Sequence, residues 1–111
     1  MPCVLEVCVD SVESAVSAAR GGATRLELCA NLVIGGTSPD EDMFRMVRER
    51  VDIPVRVLLR PRFGDFLYSD DEFELLRRQV RRFAALGADG VVIGVLRPDG
   101  TLDEARMAEL I

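Results

Sequence analysis

The sequence predicts an α/β protein of the TIM-type (β/α)8 barrel kind, of which this chain supplies about four βα units, a half-barrel. Three observations lead there. Short β-branched runs alternate four times with capped amphipathic segments, the signature of a parallel sheet with right-handed crossovers. The first three strands alternate apolar residues with charged residues or thiols. One sheet face is therefore apolar and packs on helices while the other is polar, as in a barrel interior and unlike a sheet covered on both faces. Finally, the 111 residues are about half of what a closed barrel of this type needs. The expectation is a single domain over 1–111 with no internal linker: the first half of a longer barrel, a half-barrel closed by a second copy, or a sheet that stays open.

Each unit follows from local chemistry. Val4–Val9 is the first strand, with Leu5, Val7 and Val9 on one face and Glu6, Cys8 and Asp10 on the other. Asp10 with Glu13 reads as a capping box, and Val12, Ala15, Val16 and Ala19 then recur at helical spacing until Gly21-Gly22. Strand two is Arg25–Cys29, where Arg25, Glu27 and Cys29 oppose Leu26 and Leu28. Ser38-Pro39-Asp40-Glu41 supplies a cap with Pro at the first helical position, and the helix ends near Arg50. Pro54 opens strand Val55–Arg60, in which Arg56, Leu58 and Arg60 oppose Val55, Val57 and Leu59. Ser69 with Glu72 caps a long helix to Leu86, closed by Gly87. Gly90–Leu96 is strand four, and Thr101 with Glu104 caps a last helix to Ile111.

Composition narrows the chemistry. The chain has no His, and all 14 of its cations are Arg. That excludes, within this chain, a Ser–His or Cys–His pair, a Schiff-base lysine, a histidine metal ligand and a Walker lysine. No nucleotide cofactor is indicated. A net charge of −5 argues against nucleic acid as a partner. No apolar run approaches a membrane span. The N-terminus lacks an export signal, so a cytoplasmic location with free thiols is expected for Cys3, Cys8 and Cys29.

Two constellations carry the candidate chemistry. Cys8 and Cys29 read as corresponding points of adjacent strands on one face, about 4.8 Å apart, and a soft ion such as Cu(I) favours thiolate ligands. Inert, dry, buried thiols are the alternative, and Cys3 reads as packing. Glu6, Asp10, Arg25, Glu27, Arg60 and Arg62 form the second set. Arg60 and Arg62 present forks suited to an anionic small molecule, with Arg25, Asp65 and Tyr68 as further binding groups. Glu6, Asp10 or Glu27 would then serve as acid or base. The same charges equally make a self-satisfying ion-pair network. Gly35-Gly36-Thr37-Ser38 is either an anion cradle or a turn and cap. Arg77-Arg78 and Arg81-Arg82 lie largely opposite the apolar stripe Phe73, Leu76, Val80 and Phe83, so they form a solvated face, with Glu74 available to Arg78.

The stretches Leu5–Ser11 and Gly21–Cys29, then Ile53-Pro54-Val55, Arg60–Asp70, Gly87-Ala88-Asp89-Gly90 and Pro98-Asp99-Gly100, together resemble the opening half of the copper homeostasis protein CutC family. The resemblance spans nearly the whole chain. It implies a TIM barrel, a cytoplasmic protein linked to copper handling, and proteins about twice this length. Two departures stand out. Val33-Ile34 precede Gly35-Gly36 where the family usually has Glu, and Phe63 replaces the first Gly of an Arg-Pro-Arg-Gly-Gly-Asp-Phe pattern. If that Gly needs positive φ, Phe63 would strain the turn. The readings carried forward are a CutC-type copper-binding protein, a TIM-barrel enzyme acting on an anionic small molecule, and a homo-oligomer in which half-barrels mate through their free strand edges.

Overall fold

The computed structural model describes residues 2–111. Four βα units follow one another: β1 (Glu6–Val9), α1 (Val12–Arg20), β2 (Arg25–Leu28), a 3₁₀ turn (Leu32–Ile34), α2 (Glu41–Arg50), β3 (Val55–Leu58), α3 (Asp70–Ala85), β4 (Gly90–Val92) and α4 (Glu104–Leu110). The strands form one parallel sheet in the order β1-β2-β3-β4, so each strand pairs with the next in sequence. This is the consecutive order of a (β/α) barrel wall and not that of a doubly wound sheet.

The alternation puts the core on one side. Val9, Leu26, Leu28, Val55, Val57 and Leu59 are all buried and pack under Ala15 of α1, Phe44 and Val47 of α2, and Phe73, Leu76 and Phe83 of α3. Phe44 and Phe83 meet edge to face, with centroids 5.7 Å apart, and join α2 to α3. Burial of each large side chain contributes about 1.5–3 kcal/mol. No helix among the described residues is long and apolar enough to cross a membrane.

Three of the four helix starts differ from expectation, always by a shift to a neighbouring polar residue. The N-cap of α1 is Ser11, boxed with Ser14, and not Asp10 with Glu13. Asp10 is drawn away because its carboxylate accepts the Leu32 N–H at 3.1 Å, tying the first loop to the 3₁₀ turn. Asp40 caps α2, with Pro39 before the cap instead of inside the helix. Ser38 instead accepts the Arg60 N–H at 2.9 Å and donates to Gln79 Oε1 at 2.7 Å. Asp103, not Thr101, caps α4. Thr101 closes a turn by donating its hydroxyl and N–H to Asp99 at 2.6 and 3.0 Å. Ser69 and Glu72 form the capping box of α3 as expected.

The strands are shorter than their apolar runs. β3 ends at Leu58 and β4 at Val92, because the chain turns into the loops that crown the sheet. Asp89 fixes the entry to β4: its carboxylate accepts the Val55 N–H at 2.8 Å and Arg48 Nη1 at 2.7 Å. The face of α3 expected to be solvated also ties helices together, through Arg77–Glu109 at 2.6 Å and Arg82–Glu41 at 2.7 Å, while the expected Glu74–Arg78 pair forms within α3 at 3.2 Å.

Candidate functional site

The polar face opposite the helices holds the candidate residues in tiers fixed by strand register. In the lowest tier Glu6 and Arg25 are direct partners, and Arg25 Nε donates to Glu6 Oε1 at 2.7 Å. The pair is about a quarter exposed, so it contributes no more than about 1 kcal/mol. In the next tier Cys8 is opposite Glu27, Glu27 opposite Arg56, and Arg56 opposite Gly90. Cys8 Sγ donates to Glu27 Oε2 at 3.4 Å. The Arg56 stem lies over Gly90, where an added Cβ would sit 3.4 Å from Arg56 Cγ and Nε. One tier higher, the Cys29 N–H donates to the Val9 carbonyl at 3.0 Å, which sets Cys29 beside the residue after β1, Asp10.

This register corrects one expectation. Cys8 and Cys29 share a face, but they are not opposite each other: Glu27 is the direct partner of Cys8, and Cys29 is its diagonal neighbour two residues on. Diagonal positions in a sheet are about 7–8 Å apart. Cys8 is exposed, whereas Cys29 is fully buried beneath the loop containing Gly36 and donates to the Val9 carbonyl at 3.6 Å. Burial pushes the Cys29 thiol up to about 11, helped by the negative charge of Asp10 and by Cys8 and Glu27. Cys8 is also raised, by burial first and then by its hydrogen bond to Glu27 and the charges of Glu27 and Glu6. Cys3, read as packing, is exposed.

The loops at the C-terminal ends of the strands are bound to one another. All four N–H groups of Gly35-Gly36-Thr37-Ser38 donate to backbone carbonyls, of Leu32, Asn31, Ala30 and Arg60. The stretch is thus a turn, not an anion cradle. Gly36 has φ +90°, and a Cβ there would come within 2.9 Å of Leu58 Cδ2 and 3.3 Å of Cys29 Sγ. Only glycine lets this turn close over the buried thiol.

Arg60 and Arg62 reach into loops. Arg60 is buried and donates from Nη1 to the Gly36 carbonyl at 2.8 Å and from Nη2 to the Gly64 carbonyl at 2.6 Å. Its guanidinium lies 5.2 Å from the centre of the Phe66 ring. Arg62 holds Glu72 at 2.6 Å and also donates to Asp65 Oδ1 at 3.1 Å and to the Leu67 carbonyl at 2.9 Å. The hydrogen bond between Arg62 and Glu72 raises Arg62 further and lowers Glu72 from its ordinary value. Tyr68 is buried beside Phe66, and burial raises its phenol against the opposing charges of Arg62 and Arg60. The Arg60 Nε and the Tyr68 hydroxyl have no hydrogen-bond partner among the described residues. Phe63 causes no strain, because Gly64 carries the positive φ of this turn, at +98°. Phe63 and Ile34 instead stand exposed in their loops. An apolar cavity of about 320 Å³ is lined by Leu58, Phe66, Val92, Gly94, Leu96 and Leu102.

The structure therefore brings Glu6, Cys8, Arg25, Glu27 and Arg56 together on the sheet face, with Asp10 and Cys29 above them. Arg60, Arg62, Asp65 and Tyr68 sit apart, in a self-bonded loop cluster. Arg56 was absent from the expected site residues although its parity with Arg60 placed it on this face. Gly36 was legible only as a turn residue, since its closure over Cys29 is a tertiary contact.

Comparisons with known proteins agree with this architecture. The CutC family model matches residues 3–111. The chain is 51% identical over 108 residues to the mouse (Mus musculus) copper homeostasis protein cutC homolog, covering 97% of this chain and 40% of that protein. It is 54% identical over 101 residues to the human (Homo sapiens) homolog, covering 91% and 37%. A Xanthomonas campestris family protein CutC is 50% identical over 107 residues, covering 96% and 45%. The crystal structure of CutC from Streptococcus agalactiae superposes with a TM-score of 0.86 at 28% identity, covering 98% of this chain and 54% of that one. The chain thus spans less than half the length of these curated relatives, and its sheet is part of a TIM-type barrel wall. It belongs to the CutC family.

Proposed function

We propose that this chain takes part in copper handling, with Cys8 and Cys29 as the thiols that receive Cu(I) in a reducing cytoplasm. The observation that carries this reading is the placement of two soft donors on one polar sheet face, among the carboxylates of Glu6, Glu27 and Asp10. Sulfur donors suit Cu(I) at low coordination number. The same carboxylates that oppose thiol ionisation favour an arriving cation, so proton loss and metal capture are coupled. The names of the relatives, copper homeostasis proteins, support the reading. Among the described residues no three His, Cys, Asp or Glu side chains converge as a metal cage, so the reading rests on the two sulfurs alone.

Cys29 lies under the Gly36 turn, whereas Cys8 is exposed. An ion would first meet the exposed Cys8 thiol and Glu27 and then be drawn toward Cys29. The alternative, an enzyme acting on an anionic small molecule, would require Arg60 and Arg62 to release the Gly36 and Gly64 carbonyls and Glu72. That cost makes it the weaker reading. Cu(I) competition titrations distinguish the two. The wild-type chain should bind about one equivalent, and Cys8→Ser/Cys29→Ser should lose at least tenfold in affinity. Equal affinities would refute the thiol site.

A further inference from the structure

We infer that Arg60 is a positioning residue of the thiol site: its guanidinium clamps the Gly36 turn over Cys29 and so sets how readily that thiol is reached. The inference rests on the reading of Cys29 as a Cu(I) donor. Cys29 is 1% exposed, and the Gly36 backbone passes so close that an added Cβ would stand 3.3 Å from its sulfur.

The turn's internal bonds shape it without pressing it onto the thiol. Ala30 and Thr37 exchange N–H···O bonds of 2.8 and 2.7 Å across its base, and the Gly36 N–H donates to the Asn31 carbonyl at 3.1 Å. Ser38, also at the base, donates its N–H to the Arg60 carbonyl at 2.9 Å and accepts the Arg60 N–H at 2.9 Å. The tip is held by the Arg60 side chain. Its Nη1 donates to the Gly36 carbonyl at 2.8 Å and to the Ile34 carbonyl at 3.4 Å. The same nitrogen packs so tightly that a Cβ on Gly35 would lie 3.2 Å from it.

The clamp is anchored in the next loop. Nη2 donates to the Gly64 carbonyl at 2.6 Å, and the guanidinium lies 5.2 Å from the centre of the Phe66 ring. One planar fork therefore joins the loop after β2 to the loop after β3. Lysine would keep the charge but present a single ammonium that cannot reproduce the fork. Arg60 is buried, where water competes little for these bonds. Lifting the turn breaks a charge-assisted hydrogen bond, so the uncovered form of Cys29 is rare while Arg60 is in place.

The test is alkylation of Cys29 by iodoacetamide, followed by mass spectrometry, in Cys3→Ser/Cys8→Ser with and without Arg60→Lys. The substitution retains the positive charge and the backbone bonds to Ser38, so a faster rate reports uncovering. Arg60→Lys should react at least about tenfold faster, with an unchanged circular dichroism spectrum. The rate should stay flat in urea below the unfolding transition, because lifting one turn exposes little surface. Asp103→Ala, which weakens the α4 cap, should react like the parent. With all three cysteines present, Cu(I) supplied as its bathocuproine disulfonate complex should also pass faster to Arg60→Lys. Equal alkylation rates would overturn the inference. So would a rate that climbs with urea alongside global unfolding, the same acceleration in Asp103→Ala, or equal rates of Cu(I) transfer. Failure of the copper reading itself looks different: no form takes up Cu(I), while the alkylation rates still separate and the clamp stands.

Discussion

Cys29 shows how one residue's chemistry is set by three separate parts of the chain. β2 gives it its face, β1 supplies the carbonyl that accepts its thiol proton, and the Gly36 turn seals it from solvent. That turn gives a direct test at the residue scale. Gly36→Ala would place a Cβ 2.9 Å from Leu58 at φ +90°, whereas Gly100, at φ +84°, has open space around it. Gly100→Ala should cost about 1 kcal/mol for backbone strain alone, and Gly36→Ala at least twice that, read from urea midpoints. Equal costs would mean that the turn does not press on Leu58 and Cys29. Which face each residue occupies was legible in the sequence, because side chains alternate with period two and Glu6, Cys8, Arg25 and Glu27 obey it. The register was not. It depends on how far each loop lets its strand slide, and it moved the partner of Cys8 from Cys29 to Glu27.

At the scale of elements, the order and type of all four βα units were legible from hydrophobic period, but the caps were less so. Several polar residues crowd each helix start, and the one that caps is the one not claimed elsewhere. Asp10 is claimed by the Leu32 N–H, Ser38 by Arg60 and Gln79, and Thr101 by Asp99. Ser11→Ala should therefore destabilise the chain by about 1 kcal/mol through loss of the α1 capping box, and Asp103→Ala should cost a similar amount at α4. Glu13→Ala should be nearly neutral. Chemical denaturation of the three variants checks this, and a Glu13→Ala cost equal to that of Ser11→Ala would reinstate the Asp10–Glu13 box. The ends of β3 and β4 were set by the crowning loops, which hydrophobic runs do not encode.

For the whole molecule, the division of the sheet into a helix-packed face and a charged face was the feature that made a barrel wall legible. The family match and the S. agalactiae CutC superposition agree with it. The loop cluster around Arg60 and Arg62 was harder to read. In sequence these residues look like free forks awaiting an anion, but in the fold they hold Gly36, Gly64 and Glu72. An arginine's partners are supplied by distant loops, so its availability is a tertiary property.

The claim that copper meets this chain at Cys8 and Cys29 is tested most directly by the pH dependence of Cu(I) affinity, measured against a competitor of known pH behaviour. Both thiols titrate above the ordinary cysteine value of 9.0, Cys29 at about 11, so near neutral pH both carry protons. Binding as thiolates must expel those protons. Affinity should therefore rise with pH between 6 and 8, by about tenfold per unit for each thiol engaged and about a hundredfold for two. Cys8→Ser/Cys29→Ser should abolish that slope. A flat profile in the wild-type chain, or the same slope in the double variant, would contradict the account.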